Sequence, residues 1–269
     1  MKHRPPCVIG TVDAKVNMRL ARLAERPMNG TMVPAALLPI LLAMFVIIAL
    51  AEARWTARAG QDGSDRRLAI NFSLGLVNLA IGSLSPISAV ATAIVAERHG
   101  WGVFNLRALP VLVAVPIAYV THSFVNYWLH RVSHRLGWLW RLHRLHHGDA
   151  ALDLSSALRN HPVEVAIGLL VAGATALFLG ASPTAIAIAD TILFAQNLAA
   201  HGNIRLPAGL ARRLEWVIVT PSAHCVHHSD ERRLTDSNYS ESLSWWDRLF
   251  GTWRGTQPVA RIGLDTQPR

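Results

Sequence analysis

Long apolar runs alternate with short polar segments along most of this chain. Residues 33–51 contain no charged side chain, and a run of about twenty apolar residues is long enough to cross the hydrocarbon core of a bilayer. Further runs of this kind lie at 68–96, 109–129, 163–180 and 183–200. Only Ala181 and Ser182 separate the last two runs, so these are predicted to form a membrane hairpin. The runs 68–96 and 109–129 are predicted to form another hairpin, with Pro86 as a candidate kink.

Composition supports a membrane location. The 269 residues are 51% hydrophobic and 16% charged, with a mean hydropathy of +0.28, whereas soluble domains average about 25% charged residues. A net charge of +9 would suggest nucleic acid for a soluble protein, but here the basic residues lie between apolar runs. The charge is therefore interpreted as attraction to anionic lipid, and no nucleic-acid partner is expected. Cys7 and Cys225 offer neither a disulfide framework nor a zinc-type cysteine pair.

The distribution of arginine predicts the topology. Many arginines lie in the histidine-rich segments that follow the two hairpins, and none lies in the turn at 181–182. Because positively charged segments tend to stay in the cytoplasm, the histidine-rich segments are predicted to form a cytoplasmic helical cap. The same counting places the N-terminus outside, which conflicts with the basic residues of 1–32. A chain start at Met28 or Met32, or a first run that does not fully span, would remove the conflict.

The predicted organisation has four parts. Residues 1–32 form a basic N-terminal tail, expected to be disordered or to lie on the membrane surface, and 33–67 hold an N-terminal hydrophobic span and its loop. Residues 68–253 form the histidine-rich domain, and 254–269 form a C-terminal tail. The predicted fold class is therefore all-α: an integral membrane helical bundle of two transmembrane hairpins, with an extra N-terminal span and a cytoplasmic histidine-rich cap.

Three groups of histidines carry the strongest chemical signal. On a helix, residues three or four apart share one face, and imidazole is a ligand for iron, zinc, copper and nickel. So many rings clustered without a metal would repel one another or stay unpaired. The groups are therefore predicted to ligate two metal ions. They are His130 and His134; His143, His146 and His147; and His224, His227 and His228.

Other residues are candidates to complete or support the metal shell. His201 ends the second hairpin on the predicted cytoplasmic side and is expected to be a further ligand. His161 and Asn197 are candidates for ligation or support, with chain capping and helix packing as the alternatives. Ligating histidines usually donate their second N–H to a carboxylate or a carbonyl. Asp236 is the preferred acidic candidate, and the acidic residues near the groups are Asp153, Glu164, Asp230, Asp236 and Asp247.

Six segments of the chain form a recognisable series: HRVSH (130–134), HRLHH (143–147), RNHPVE (159–164), HGNIR (201–205), TPSAHCVHH (220–228) and NYSESLSWWDRLFGTW (238–253). Taken in order, they resemble the fatty acid hydroxylase / sterol desaturase superfamily. The similarity covers about residues 70–253 and implies that 68–253 form a catalytic domain with a histidine-bound di-iron centre at the cytoplasmic face. It implies O2-dependent hydroxylation or desaturation of a lipid C–H bond.

The resemblance also implies cofactors and partners. Two iron ions are the implied cofactor, with O2 as co-substrate, and zinc can replace iron during purification. The lipid substrate would come from the bilayer. No fused haem or ferredoxin domain is recognisable, so a separate ferredoxin- or cytochrome-type protein and its reductase are expected to supply electrons.

Lipid hydroxylation is the leading functional prediction, and alternatives remain open. A lipid or sterol desaturase would use the same di-iron centre. A non-catalytic metal-binding membrane protein would need polar residues along the spans to form a path, and the spans carry few. A zinc hydrolase would need a general base such as the glutamate of HExxH, and no glutamate lies within the three groups. The residues do not distinguish among fatty acyl, sterol and related lipids.

Overall fold

The computed structural model describes residues 33–59, 64–106 and 109–264, with side chains from Pro39 onwards. The predictions for the tail 1–32 lie outside the described residues, as do Cys7 and the end of the C-terminal tail. Within the described part of the chain, all regular secondary structure is helical, and three isolated bridges pair extended segments. This agrees with the predicted all-α class.

The long helices all precede residue 202, and the helices that follow it have at most seven residues. Prolines occupy the first positions of three helices, where a missing N–H costs nothing. A 3₁₀ helix, Leu154–Leu158, connects the sixth and seventh helices. The helices are α1 (Val33–Arg54), α2 (Asp65–Leu84), α3 (Ala89–His99), α4 (Val103–Leu106), α5 (Val111–Arg135), α6 (Gly137–His147), α7 (Pro162–Leu179), α8 (Pro183–His201), α9 (Ala208–Leu214), α10 (Pro221–His227), α11 (Arg232–Thr235) and α12 (Trp245–Leu249).

The predicted run 68–96 is not one continuous helix. α2 and α3 are separate helices, joined by a non-helical segment at 85–88. Pro86 lacks a backbone N–H and disfavours helical geometry at Ser85, which is extended. Ser88 then starts α3, since its Oγ accepts from the backbone N–H of Ala91 at 3.3 Å. The expected kink is therefore a complete break.

Helix α7 packs closely against this break. A Cβ on Gly173 would lie 2.3 Å from the carbonyl oxygen of Ile87, so a larger residue could not make this approach. Thr92 Oγ1 also donates to the Gly173 carbonyl oxygen at 3.0 Å. The adjoining core contains Ala93 and Ala176, both completely buried. Small residues of this kind allow membrane helices to lie close together.

The protein has the helices of a membrane protein. Within the described residues, three helical segments are long and apolar enough to cross a bilayer: Asp65–Leu106, Val111–Arg135 and Pro162–Leu179. The predicted span 183–200 corresponds to helix α8, which is not one of these three segments. Polar side chains such as Asp190 reduce its apolar character. Large apolar side chains face outward, including Leu112, which is 89% exposed. Such exposure suits contact with lipid chains.

A buried polar network joins α2 to the segment that follows α6. Arg67 Nη1 donates to Asp149 Oδ2 at 2.9 Å, and its Nη2 donates to Asp153. The same Asp149 oxygen accepts from Asn71 Nδ2 at 2.8 Å and from Ser156 Oγ at 2.7 Å. Because Asp149 follows α6 by two residues, this network anchors the end of the helix that carries the second histidine group.

Candidate metal centre

Two consecutive helices carry five of the nine histidines that the sequence predicts as metal ligands. α6 begins almost where α5 ends, with one residue between them. His130 and His134 lie one turn apart near the end of α5, whereas His143, His146 and His147 lie near the end of α6. All five side chains are buried. Because the chain turns between the two helices, the histidines of α5 and those of α6 face each other.

The remaining histidines come from the end of α8 and from α10. His201 is the last residue of α8. Thr220 caps α10, because its Oγ1 accepts from the backbone N–H of Ala223 at 3.3 Å, and Pro221 occupies the first helical position. This short helix carries His224, and the third histidine group continues to the residue just after its end.

The histidines form two clusters, and consecutive residues divide between them. The five-histidine cluster contains His130, His134, His143, His147 and His227, and the four-histidine cluster contains His146, His201, His224 and His228. Within each cluster, one ligand atom per residue lies within 4.8 Å of all the others. Every one of these side chains is buried. The structure therefore brings together all the residues that the sequence predicts as ligands.

Hydrogen bonds at Nδ1 orient five of these rings. An oxygen acceptor requires Nδ1 to carry the proton, which leaves the Nε2 lone pair for a metal ion. Two of the partners are carboxylates and three are backbone carbonyls. The Nδ1 distances are 2.6 Å from His130 to Tyr239 O, 3.3 Å from His134 to Asp236 Oδ1, 2.6 Å from His143 to Glu164 Oε1, 2.8 Å from His227 to Ser237 O, and 2.8 Å from His201 to Asn197 O.

The free ring nitrogens fit metal ions. In the five-histidine cluster, Nε2 of His130, His143, His147 and His227 is buried without a hydrogen-bond partner among the described residues. In the four-histidine cluster, His201 Nε2 lies 3.0 Å from His146 Nε2 and 3.0 Å from His224 Nε2. Two nitrogens bound at about 2.1 Å to one metal ion and at right angles would be about 3 Å apart. Donor type, burial and spacing therefore agree with metal ligation.

The surroundings keep five of the clustered histidines neutral. Burial lowers the pKa of His227 to about 3, although the hydrogen bond to the Ser237 carbonyl favours the charged form. Burial and the neighbouring imidazoles also lower the pKa values of other members well below 6.5. Neutral imidazole is the form that binds metal ions, so no proton must leave first at neutral pH. The affected residues are His146, His147, His224 and His228.

Three further sequence candidates lie outside the two clusters. His161 caps α7, since its Nδ1 accepts from the backbone N–H of Val163 at 3.1 Å. Asn197 orients His201 through its backbone carbonyl, while its side chain lines a cavity. Asp236 occupies a supporting position beside the His134 ring.

The other acidic candidates have different roles. Glu164 holds the His143 ring through its carboxylate, a position that suits a supporting carboxylate. Asp153 and Asp230 instead form ion pairs with arginines. Asp247 accepts from the backbone N–H of Tyr239 at 2.8 Å, so it holds the segment whose carbonyl orients His130.

Sequence reasoning misses two partners of His130. Tyr239 acts through its backbone carbonyl, which no pattern of side chains reveals. Glu241 Oε1 lies 3.7 Å from His130 Nδ1. Glu241 belongs to the segment 238–253, which resembles the superfamily. Its position in that segment is the signal that could have identified it.

A cavity of about 380 Å³ lies between α5, α7 and α8, beside the five-histidine cluster. Glu241, Tyr239 and Asn197 line the end nearest the histidines. Leu169 and Phe194 belong to a largely apolar wall. A mostly apolar cavity with a few polar groups suits a ligand with a hydrocarbon chain.

Comparison with known proteins adds independent evidence. A sequence model described as fatty acid hydroxylase matches residues 115–252. Alkylglycerol monooxygenase of Homo sapiens is 31% identical over 147 residues, which cover 55% of this chain and 32% of the relative. Ornithine lipid hydroxylase of Rhizobium tropici is 29% identical over 219 residues, which cover 79% of this chain and 63% of the relative. C-4 methylsterol oxidase of Candida albicans is 28% identical over 166 residues, which cover 58% and 50%.

The matched region contains the whole candidate centre. Every histidine of the two clusters lies within 115–252. The chain spans 32% to 43% of the length of three vertebrate alkylglycerol monooxygenases. No solved structure matches the chain.

Proposed function

Because the chain belongs to the fatty acid hydroxylase family, we propose that it is a membrane oxygenase that hydroxylates a C–H bond of a lipid. It uses two iron ions, O2 and electrons from a separate donor protein. The observation that carries this proposal is the pair of buried histidine clusters beside a largely apolar cavity. The relatives are named as monooxygenases, a hydroxylase and an oxidase, which favours hydroxylation over desaturation.

The two clusters would hold two iron ions, and these would supply the activation of O2 that amino-acid side chains cannot provide. The residues of the chain hold the site in place. Glu164 and Asp236 orient two ligand rings and keep their Nε2 atoms unprotonated. Burial of the histidines would keep bulk water away from the bound metal ions.

The cavity gives a hydrocarbon chain a path to the centre. Its outer wall includes Phe194, which is 41% exposed on α8. Its inner end reaches Glu241, beside His130. A lipid chain entering from the bilayer would therefore meet the ligand shell without crossing water.

The clusters lie at the cytoplasmic face in the proposed topology. α5 and α8 carry ligands at their C-terminal ends, and α7 begins beside His143. Helix α6, which carries the second histidine group, also carries the exposed arginines Arg141 and Arg144. This basic surface agrees with a cytoplasmic position and suits an acidic electron-donor protein.

Lipid analysis under isotopically labelled O2 tests the proposed activity. Cells that express the full chain are compared with cells that express His227→Ala. The expected result is one lipid class that gains a labelled oxygen atom only with the unaltered chain. A lipid that loses two hydrogens without gaining oxygen would contradict hydroxylation. Absence of any altered lipid, in membranes that contain iron-loaded protein and a working reductase, would contradict an oxygenase function.

A further inference from the structure

The cavity contains an ionisable pair far from the histidine clusters. His122 Nδ1 lies 2.7 Å from Asp190 Oδ1, and both residues line the cavity. His122 is near the middle of α5, a candidate membrane span, and is 3% exposed. Ionisable side chains within a membrane are costly to place there, so they commonly mark a functional path or site.

The pairing determines what His122 can bind. Asp190 accepts the hydrogen bond, so the proton of a neutral His122 ring lies on Nδ1. Nε2 is then an acceptor, and it is buried with no hydrogen-bond partner among the described residues. An unpaired buried acceptor is unfavourable. A ligand that donates an O–H group to Nε2 would satisfy it.

No neighbouring hydroxyl among the described residues lies within hydrogen-bond distance of this nitrogen. Ser123 Oγ lies 2.7 Å from Ser242 Oγ, and Trp246 Nε1 donates to Ser123 Oγ at 2.9 Å. The cavity wall also includes apolar side chains such as Leu193. A donor that reaches His122 Nε2 would therefore belong to a molecule in the cavity.

We propose that the cavity binds a lipid that carries a hydroxyl group along its chain, and that His122, held by Asp190, accepts a hydrogen bond from this hydroxyl. The proposal rests on the proposed lipid function and narrows its substrate class. His122 precedes His130 by eight residues on the same helix, which corresponds to about 12 Å along the axis. His122 is thus a positioning residue that sets which carbon of a hydroxylated chain reaches the centre.

Anaerobic lipid binding tests this assignment without requiring turnover. The metal-loaded protein in nanodiscs is offered octadecanoic acids that carry one hydroxyl at successive chain positions. The unsubstituted acid and the methyl ethers are the comparison probes. A methyl ether cannot donate a hydrogen bond, and one net hydrogen bond is worth about a three- to ten-fold difference in Kd. The expected result is tighter binding of this size for hydroxyls at one or two adjacent positions.

Two variants and one control assign the effect to the pair. His122→Phe should bind hydroxylated and unsubstituted acids equally, with affinity for the unsubstituted acid retained. Asp190→Asn keeps the size of the side chain but lets the amide donate to Nδ1, so Nε2 can carry the proton; the preference for hydroxyl over methyl ether should then disappear. Tyr119→Phe removes a hydroxyl that binds Gln196 at 2.7 Å between the same two helices and should leave all preferences unchanged.

The outcomes separate this proposal from the proposed activity. Equal binding of all probes by the unaltered protein, or a hydroxyl preference that survives in His122→Phe, would assign the pair to helix packing alone. Binding of no probe by metal-loaded protein would show that the cavity does not take a lipid chain. A selective hydroxyl preference in a protein without oxygenase activity would leave the binding site in place while overturning the activity.

Discussion

His146 and His147 are consecutive residues of α6, yet their rings belong to different clusters. His146 Nε2 lies 3.0 Å from His201 Nε2, whereas His147 joins the five-histidine cluster. Successive residues of an α-helix point about 100° apart, so one helix end can serve two adjacent sites. His227 and His228 divide in the same way. The two consecutive histidines of each HxxHH segment therefore lie where the two clusters adjoin.

Loss of one ligand should empty one site and spare the other. In His146→Ala, the four-histidine cluster keeps three imidazoles while the five-histidine cluster is unchanged. Metal content is expected to fall from about two ions to about one per chain, with loss of activity. Elemental analysis of detergent-purified protein measures this. His161→Asn is the control, because it replaces a histidine outside both clusters with another good N-cap. Full metal content in both His146→Ala and His227→Ala would refute the ligand assignment.

The carboxylate behind His143 should affect metal affinity without being a ligand. Glu164→Gln removes the charge 2.6 Å from His143 Nδ1 but keeps the size of the side chain. Loss of such a supporting partner typically lowers metal affinity by about ten- to a hundred-fold. Competition with a chelator measures the change. Asp230→Asn is the matched control, because Asp230 pairs with the exposed Arg261 rather than with a histidine. Equal chelator resistance in both variants would contradict an orienting role for Glu164.

Helical spacing made the histidines recognisable, but their arrangement depends on tertiary contacts. Imidazoles three and four residues apart must share a helix face, so the sequence predicts which residues converge. Division into two clusters depends on how α6, α8 and α10 approach one another, which no local pattern specifies. Backbone partners such as the Tyr239 carbonyl are equally hidden, because every residue carries a carbonyl group.

The break between α2 and α3 also depends on tertiary contacts that no local pattern specifies. Pro86 predicts a local disturbance, and a kinked membrane helix is one of its usual results. Here the helix ends completely, and α7 occupies the space beside the break through Gly173. The role of Gly173 in this close approach can be recognised only when the segment that it packs against is known. Local propensity therefore predicted the position of the disturbance, and packing determined its extent.

The buried pair of Arg67 and Asp149 should stabilise the protein far more than an exposed pair does. Both side chains are almost fully buried, with 7% and 0% exposure. Arg67→Ala leaves the Asp149 carboxylate without its charged partner, which typically costs about 3–5 kcal/mol. Arg233→Ala is the control, because Arg233 is 79% exposed and its pair with Glu231 should contribute about 0–1 kcal/mol. Thermal unfolding in detergent compares the two. Equal unfolding midpoints would contradict an anchoring role for the network.

Acid should destabilise the metal-free protein below about pH 6.5. Burial lowers the pKa of His227 to about 3 and that of His228 well below 6.5, whereas unfolded histidines titrate near 6.5. Between these values the unfolded state binds more protons than the native state, so stability is complete above about pH 6.5 and decreases as the pH falls toward the native pKa values. Tryptophan fluorescence should therefore report a lower unfolding midpoint at about pH 5 than at about pH 7.5, with little change from about pH 7.5 to 8.5. His228→Leu removes one of the affected groups and should flatten this dependence. An unfolding midpoint that stays constant from about pH 7.5 to 5 would show that the clustered histidines are not held neutral by burial.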